Sequence, residues 1–258
     1  MNPPHTQAPS RTVANMQIGR SADRLRHHVR RPLARTPYVW DALVGLRSDK
    51  RATLARRDTG LVIEGFLRSG NTFSVAAFRI ANGTDVHVAR HLHSPAHVLR
   101  AVRYQVPTIV LIREPRAAVL SYLIRRPTLT PHDAVLEYLD FYRTVWPARL
   151  GFVTAPFDRV VSDFGSVLTQ VNARFGTDFE PYVGTPENDA AVFLVVEEMN
   201  RNECRGEVVE THVARPSSAR ASSKQQLEHK LETPRTAVAL GAARQLYEQY
   251  LRRADGQS

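Results

Sequence analysis

The sequence predicts an α/β fold with a mostly parallel central sheet and helices on both of its faces. Two observations predict it. Short apolar runs alternate along the chain with helical segments, which is typical of β-α-β units. The strongest run, from Val106 to Ile112, is apolar almost throughout, as in strands that are buried on both faces. The 258 residues, 43% of them hydrophobic, suffice for one core of this kind.

The predicted elements follow from apolar spacing and from local start and stop signals. Ser94-Pro95 marks a helix start, and Gly176 marks a helix end. The segment 177–218 has a weak pattern and is expected to shape a substrate pocket. Strands are predicted at 61–63, 85–89, 106–112 and 152–154, and helices at 73–78, 94–104, 116–123, 131–145, 164–175, 190–199, 225–231 and 236–251.

The region before the first strand has a different composition. Residues 1–20 are rich in proline and polar groups and are predicted to be a disordered tail. Residues 21–57 form a basic segment predicted to pack on the core, with an amphipathic helix from Trp40 to Leu46 whose alternative role is docking on a membrane or an acidic partner. Residues 58–254 are predicted to form a single domain.

Cysteine content and apolar run length narrow the class of protein. Cys204 is the single cysteine, which excludes an internal disulfide and a zinc ribbon and fits a reducing compartment. The N-terminus, Met1 to His5, lacks the apolar centre of a signal peptide, and the longest apolar runs are too short for a membrane span. A cytoplasmic protein without a transmembrane segment is therefore expected.

The charge balance is strongly basic. The formal net charge is +10 and the sequence pI is about 10.3, which would ordinarily indicate nucleic acid or an anionic surface as partner. However, Lys50, Lys224 and Lys230 are the only lysines, and so strong an arginine bias weakens that inference. No nucleic-acid partner is expected, and a polyanionic small ligand remains compatible with the charge.

The stretch from Leu61 to Asn82 combines a strand, a glycine-bounded turn and a helix. This arrangement directs backbone N–H groups and the positive end of a helix dipole at an anion. Gly65 and Gly70 have the spacing of the nucleotide loop G-x-x-x-x-G-K-[ST], but Asn71 stands where the lysine would be. The turn therefore predicts a phosphate site for a nucleotide without a transferable γ-phosphoryl group. The alternative is that the glycines serve close packing only.

A second anion-binding feature follows the strongest strand. Arg113 stands at the carboxyl end of that strand, where open parallel sheets bind ligands, and Ser121 lies about two turns into the next helix. The guanidinium and the hydroxyl could converge on one phosphate. In the alternative reading Arg113 pairs with Glu114 or a helix end, and Ser121 is a packed small residue.

The third feature is His91, which follows the second predicted strand. Its imidazole could take a proton from an attacking hydroxyl at working pH. A metal site built from the neighbouring histidines and Asp85 is the rival reading, and no metal is predicted because carboxylate or cysteine ligands are otherwise lacking. A chance accumulation of histidines is the remaining alternative. The histidines concerned are His87, His91, His93 and His97.

Together these features resemble the PAPS-dependent sulfotransferase family. Its loop [KR]-S-G-[TN]-T, which holds the 5′-phosphosulfate end of the nucleotide, is matched by residues 68–72. Its strand-end arginine and the serine eight positions later, which bind the 3′-phosphate, are matched by Arg113 and Ser121. Its histidine before a leucine is matched by His91, with His93 as runner-up. The resemblance covers about residues 61–176. The loop residues concerned are Arg68, Ser69, Gly70, Asn71 and Thr72, followed by Phe73.

The resemblance implies a P-loop type three-layer α/β/α fold and transfer of a sulfuryl group from PAPS. The product would be adenosine 3′,5′-bisphosphate, and the acceptor a hydroxyl or amine of a small molecule or glycan. His91 and Arg68 are the implied catalytic residues, and no metal is required. The chain departs from the cytosolic branch in having Arg68 for its lysine and in lacking the Arg-Lys-Gly segment, for which Arg215 and Arg220 are the candidate substitutes.

Three other functions are alternatives to this one. A P-loop kinase would need a loop lysine and a carboxylate for Mg²⁺, and Asn71 speaks against it. A basic nucleic-acid or membrane-surface binding protein would leave the spacing of Arg113 and Ser121 unexplained. A related protein that binds PAPS without catalysis is the third. The sequence specifies neither the acceptor nor an oligomeric state.

Overall fold

The computed structural model describes residues 53–204, 206–209 and 218–256. The strands are β1 (Leu61–Gly65), β2 (Val88–Arg90), β3 (Thr108–Ile112) and β4 (Val153–Pro156). The α-helices are α1 (Asn71–Asn82), α2 (Pro95–Arg103), α3 (Pro115–Arg125), α4 (Pro131–Val145), α5 (Phe157–Ser162), α6 (Phe164–Phe175), α7 (Pro186–Glu203), α8 (Ser218–Glu228) and α9 (Pro234–Ala254). Two 3₁₀ turns, Trp146–Gly151 and His229–Leu231, complete the described elements.

The four strands form one parallel sheet in the order β2-β1-β3-β4. β1 and β3 are central, and every residue in both is buried. In β3, Ile109 and Leu111 pack on the face covered by α1, α6 and α7, whereas Val110 and Ile112 pack on the face covered by α3, α4 and α9. Successive side chains of a strand point to opposite faces, so a strand buried on both sides is apolar throughout. The predicted α/β class with a parallel sheet is confirmed.

Most element boundaries differ from the predicted ones by a few residues; β3, for example, begins at Thr108 rather than at residue 106. β2 begins at Val88 rather than at residue 85, because Leu61, the first residue of β1, pairs with Val88. α7 is longer than predicted: Thr185 caps its start, and Pro186 occupies its first turn. The short helix α5, directly after β4, was not predicted.

Part of the predicted N-terminal organisation cannot be compared with the structure. The tail 1–20 and the helix from Trp40 to Leu46 lie outside the described residues, as does the basic segment 21–57 up to residue 52. Ala55, near the end of that segment, is buried against Val62, Ala89 and Ala101. Among the described residues, no helix is both long enough and apolar enough to cross a membrane.

Gly65 allows β1 to lie close to β3 just before the polar turn. A Cβ at this position would stand 2.5 Å from the carbonyl oxygen of Leu111, which is backbone and cannot move aside cheaply. Gly65→Ala is therefore expected to lower the free energy of unfolding by about 2–3 kcal/mol, as over-packing does in well-packed cores. Urea denaturation would measure the change.

Gly241→Ala is the matched control, because this glycine lies within α9 with nothing within 4 Å of its added Cβ. It is expected to raise stability by about 0.5–1 kcal/mol through helix propensity. Equal effects of the two substitutions would contradict the close approach at Gly65.

Candidate functional site

The candidate site lies at the carboxyl edge of the two central strands. Gly65 of β1 is in register with Leu111 of β3, so the turn that follows β1 and the residue that follows β3 are neighbours. This edge is where open parallel sheets bind their ligands. The topology therefore brings the first and second sequence features side by side.

The turn between β1 and α1 has a constrained backbone. Arg68 and Gly70 both have positive φ values, 69° and 97°. α1 begins at Asn71 with Gly70 as its N-cap, without a side-chain hydrogen bond at the cap and without an acidic residue in the first turn. The positive end of the α1 dipole thus remains uncompensated by a capping carboxylate, which suits an anion.

Arg68 connects the two anion-binding features. Its Nε donates a 2.9 Å hydrogen bond to Oγ of Ser121, and its carbonyl oxygen accepts a 3.0 Å hydrogen bond from Nη1 of Arg113. The Arg113 guanidinium also stacks on the Phe157 ring, 3.9 Å from its centroid. Glu114 caps α3 by accepting hydrogen bonds from its first backbone N–H groups. The structure therefore brings Arg68, Arg113 and Ser121 together at one point.

Two buried tyrosines of α4 form hydrogen bonds with backbone groups at this edge of the sheet. The Tyr142 hydroxyl donates to the Leu111 carbonyl at 2.8 Å and accepts from the Phe66 N–H at 3.4 Å, and it lies 3.4 Å from Oγ of Ser69. The Tyr138 hydroxyl donates to the Arg113 carbonyl at 2.8 Å. Burial raises the pKa of both tyrosines, so both stay protonated as donors. One helix thereby positions the ends of two strands.

Asn71 replaces the lysine of triphosphate loops and has a buried side chain. Its Nδ2 donates to the Phe66 carbonyl at 3.1 Å, which fixes the orientation of the amide. Its Oδ1 is buried and has no hydrogen-bond partner among the described residues. A buried acceptor without a partner is costly, so this oxygen is suited to accept a hydrogen bond from a ligand or an ordered water.

The histidines after β2 lie on a strained turn held by Glu64 of β1. His91 and His93 have positive φ values of 60° and 47°, which are uncommon for residues other than glycine. The fully buried Glu64 carboxylate accepts from the Leu92 N–H at 2.8 Å and from the His93 N–H at 3.0 Å. These bonds supply the restraint that a strained turn requires.

The same carboxylate binds His97 of α2. Nδ1 of His97 lies 2.9 Å from Oε1 of Glu64, and Nε2 accepts the Ala55 N–H at 2.9 Å, so the ring donates from Nδ1. Burial by itself would raise the pKa of Glu64. Hydrogen bonds from His97 and Leu92 and the attraction of nearby His93 outweigh that effect, and the pKa lies below its ordinary value of 4.5.

The histidines do not gather as metal ligands. His97 is bound to Glu64 and Ala55, and His87 lies 3.3 Å from Oγ1 of Thr59. The described ranges contain no group of three or more histidine, cysteine, aspartate or glutamate residues that could hold a metal ion.

A cavity of about 420 Å³ lies beside the polar turn, and residues 181–184, from the segment expected to shape a substrate pocket, form part of its wall. It is lined by α5, the start of α6 and the loop at 181–184. Val160, in its wall, is a neighbour of Gly70, and Tyr182, also in its wall, packs edge-on against Phe73 at 6.4 Å. The cavity thus adjoins the first turn of α1.

Two residues that support the site were not predicted from the sequence. Glu64 and Tyr142 each hold a segment that was singled out, yet neither was predicted as a site residue. A signal existed for Glu64, because it is the one charged residue in the apolar strand Leu61–Gly65. Tyr142 gave no such signal within its amphipathic helix. Arg215 and the side chain of Arg220 lie outside the described residues.

No protein-family model matches the chain, and no curated protein matches it by sequence. Among solved structures, the mouse sulfotransferase SULT7A1 complexed with PAP is similar with a TM-score of 0.42 and 15% sequence identity. The similarity covers 79% of this chain and 91% of that chain.

The ionised Glu64 carboxylate should make stability depend on pH. Because folding lowers its pKa below 4.5, the stabilisation is fully present above about pH 4.5 and is lost as the pH falls below that value. Glu64→Gln is expected to be less stable than the wild type at pH 7, with the difference shrinking toward pH 3. Urea denaturation across this range would measure it. Glu198→Gln, an exposed change on α7, should unfold as the wild type does. A difference that stays constant with pH would contradict the role of the charge.

Removing the Tyr142 hydroxyl should weaken the supported edge. Tyr142→Phe leaves the buried Leu111 carbonyl and the Phe66 N–H without this partner, and an expected loss of about 1–3 kcal/mol in the free energy of unfolding follows. Tyr104→Phe, at a partly exposed ring, is the control and should change stability by under about 0.5 kcal/mol. Indistinguishable denaturation curves for the two variants would refute the supporting role.

Proposed function

We propose that the protein is a sulfotransferase that uses PAPS as its sulfuryl donor and a hydroxyl or amine as acceptor. The observation that carries the proposal is the convergence of Arg68, Arg113 and Ser121 in space. Arg113 follows Arg68 by 45 residues in the chain, and Ser121 follows it by 53. One segment contributes a helix N-terminus and the other an arginine and a hydroxyl. The structure thus has two adjacent candidate anion-binding sites: a first seat at residues 68–73 and a second seat at Arg113 and Ser121. Two such sites suit a nucleotide with phosphates at both its 5′ and 3′ positions.

The residues present fit that nucleotide. The first seat has backbone N–H groups at the start of α1 and the arginine Arg68, without a lysine for a γ-phosphate. The second seat has Arg113, whose carbonyl and guanidinium are both held in place. When bound, PAPS would supply the transferable sulfuryl group.

Each part of the site would have a separate task. The first seat, residues 68–72 with Phe73, would hold the 5′-phosphate and stabilise the negative charge that grows as the sulfuryl group departs. Arg113 and Ser121 would bind the 3′-phosphate. A histidine of the turn 91–93 would take the proton of the acceptor, as the His91 motif predicts. The adjoining cavity, with Tyr182 beside Phe73, has the size and aromatic wall suited to the purine ring.

Calorimetric titration would test the nucleotide assignment. We expect adenosine 3′,5′-bisphosphate to bind without Mg²⁺, and to bind at least tenfold more tightly than adenosine 5′-monophosphate, because only the bisphosphate occupies both seats. Tighter binding of ATP with Mg²⁺ than of the bisphosphate would refute the proposal and favour a kinase-like enzyme.

Substitutions in the second seat would locate the 3′-phosphate. Ser121→Ala and Arg113→Ala are expected to weaken bisphosphate binding about tenfold or more, with a smaller effect on the 5′-monophosphate, since charge-assisted hydrogen bonds to one phosphate are lost. Arg116→Ala is the matched control. Arg116 lies on α3, the helix of Ser121, and its guanidinium is near Glu228 and Glu232. Equal weakening of both nucleotides would place the 3′-phosphate elsewhere.

A further inference from the structure

The turn that carries His91 and His93 is fastened to β1 at three points. Two are the backbone N–H groups of Leu92 and His93 on the Glu64 carboxylate, at 2.8 and 3.0 Å. The third is a side chain: Nδ1 of His93 lies 3.0 Å from the carbonyl oxygen of Gly65. Because Gly65 ends β1 and leads into the polar turn, the His93 ring is anchored on the strand that also positions the phosphate seat.

The Gly65 contact determines the tautomer of His93. A carbonyl oxygen can only accept, so Nδ1 of His93 must carry the hydrogen. In the neutral ring the lone pair then stands on Nε2, which is the nitrogen able to accept a proton. Glu64 Oε2 lies 3.9 Å from Nδ1 and favours the protonated ring after a proton has been accepted.

His91 and His93 differ in how a substrate could reach them. Both residues are partly exposed, but the Nε2 atom of His91 is buried. The side chain of His93 is 18% exposed. The two rings are 5.9 Å apart between centroids, so they are neighbours on one turn without sharing an environment. An acceptor hydroxyl must come within hydrogen-bond distance of its base, and the buried Nε2 atom of His91 is poorly placed for such an approach.

We propose that His93, rather than the motif histidine His91, is the catalytic base of this site, and that Glu64 is its positioning residue. The inference rests on the proposed function and names the residue that would carry out its proton transfer. The acceptor proton moves to Nε2 of His93 while the acceptor oxygen bonds to sulfur. The bond from sulfur to the 5′-phosphate oxygen breaks, and its electron pair leaves with adenosine 3′,5′-bisphosphate.

Paired asparagine substitutions separate the two histidines. Asparagine tolerates positive φ values, so His93→Asn and His91→Asn both suit the strained turn, and an asparagine amide can still donate to the Gly65 carbonyl. We expect His93→Asn to lower turnover of PAPS with a panel of phenols and amines by about 10²–10⁴-fold. Its dissociation constant for adenosine 3′,5′-bisphosphate should stay within about twofold of the wild type. The loss in His91→Asn should be at least tenfold smaller.

Nuclear magnetic resonance of the histidine rings supplies a readout that does not depend on turnover. A long-range ¹H–¹⁵N spectrum is expected to show a neutral ring protonated on Nδ1 that titrates with pH and disappears in His93→Asn. The charged and titratable groups near this ring include Glu64 of β1, 3.9 Å from Nδ1, and His91 of the same turn. Glu64→Gln removes the anion 3.9 Å from Nδ1, so the His93 titration and the acid limb of the rate profile should both move to lower pH.

The outcomes distinguish the inference from the function on which it rests. Failure of the wild type to bind adenosine 3′,5′-bisphosphate overturns both. Normal binding with a larger turnover loss in His91→Asn than in His93→Asn overturns the choice of base only. If none of the acceptors is turned over, the ring spectrum decides: a His93 ring protonated on Nε2, or a titration that is unmoved in Glu64→Gln, overturns the inference.

Discussion

The hydrogen bonds to the buried Glu64 carboxylate determine the position of the turn that carries His91 and His93. A carboxylate without solvent is costly unless hydrogen bonds replace its hydration, and here two backbone N–H groups and an imidazole supply them. Those three donors come from one continuous stretch, residues 92–97. Satisfying the carboxylate therefore obliges the chain after β2 to turn back toward β1. The strained geometry of the turn and the position of its histidines are consequences of that requirement.

The ends of β1 and β3 and the polar turn beside them are held by helix α4. Its two tyrosines place hydroxyl groups under the ends of β1 and β3, where backbone groups would otherwise be buried without partners. Arg113 then donates to the polar turn from the neighbouring strand, and Arg68 donates back to α3. The two predicted oxyanion seats thus form one hydrogen-bonded unit.

The sequence was informative where a local pattern has a local cause. The apolar run at Val106–Ile112 predicted a buried central strand because a strand with helices on both faces has no polar side. The Arg68–Thr72 turn and the spacing of Arg113 and Ser121 predicted two anion-binding segments. The short helix α5 and its part in the cavity wall were missed, because the shape of that wall depends on how α5, α6 and the loop at 181–184 meet α1.

Composition and spacing alone determined the fold class, the alternation of strands with helices that makes the sheet parallel, and the residue types at the carboxyl edge of the sheet. These properties arise from interactions between residues near in sequence, or from a strand being buried on both sides. Only the tertiary structure decided which atoms meet: Arg68 with Ser121, His93 with the Gly65 carbonyl, and Glu64 with the turn after β2. Such contacts join segments 28 to 53 residues apart, and a hydrogen bond depends on distances that no one-dimensional pattern records.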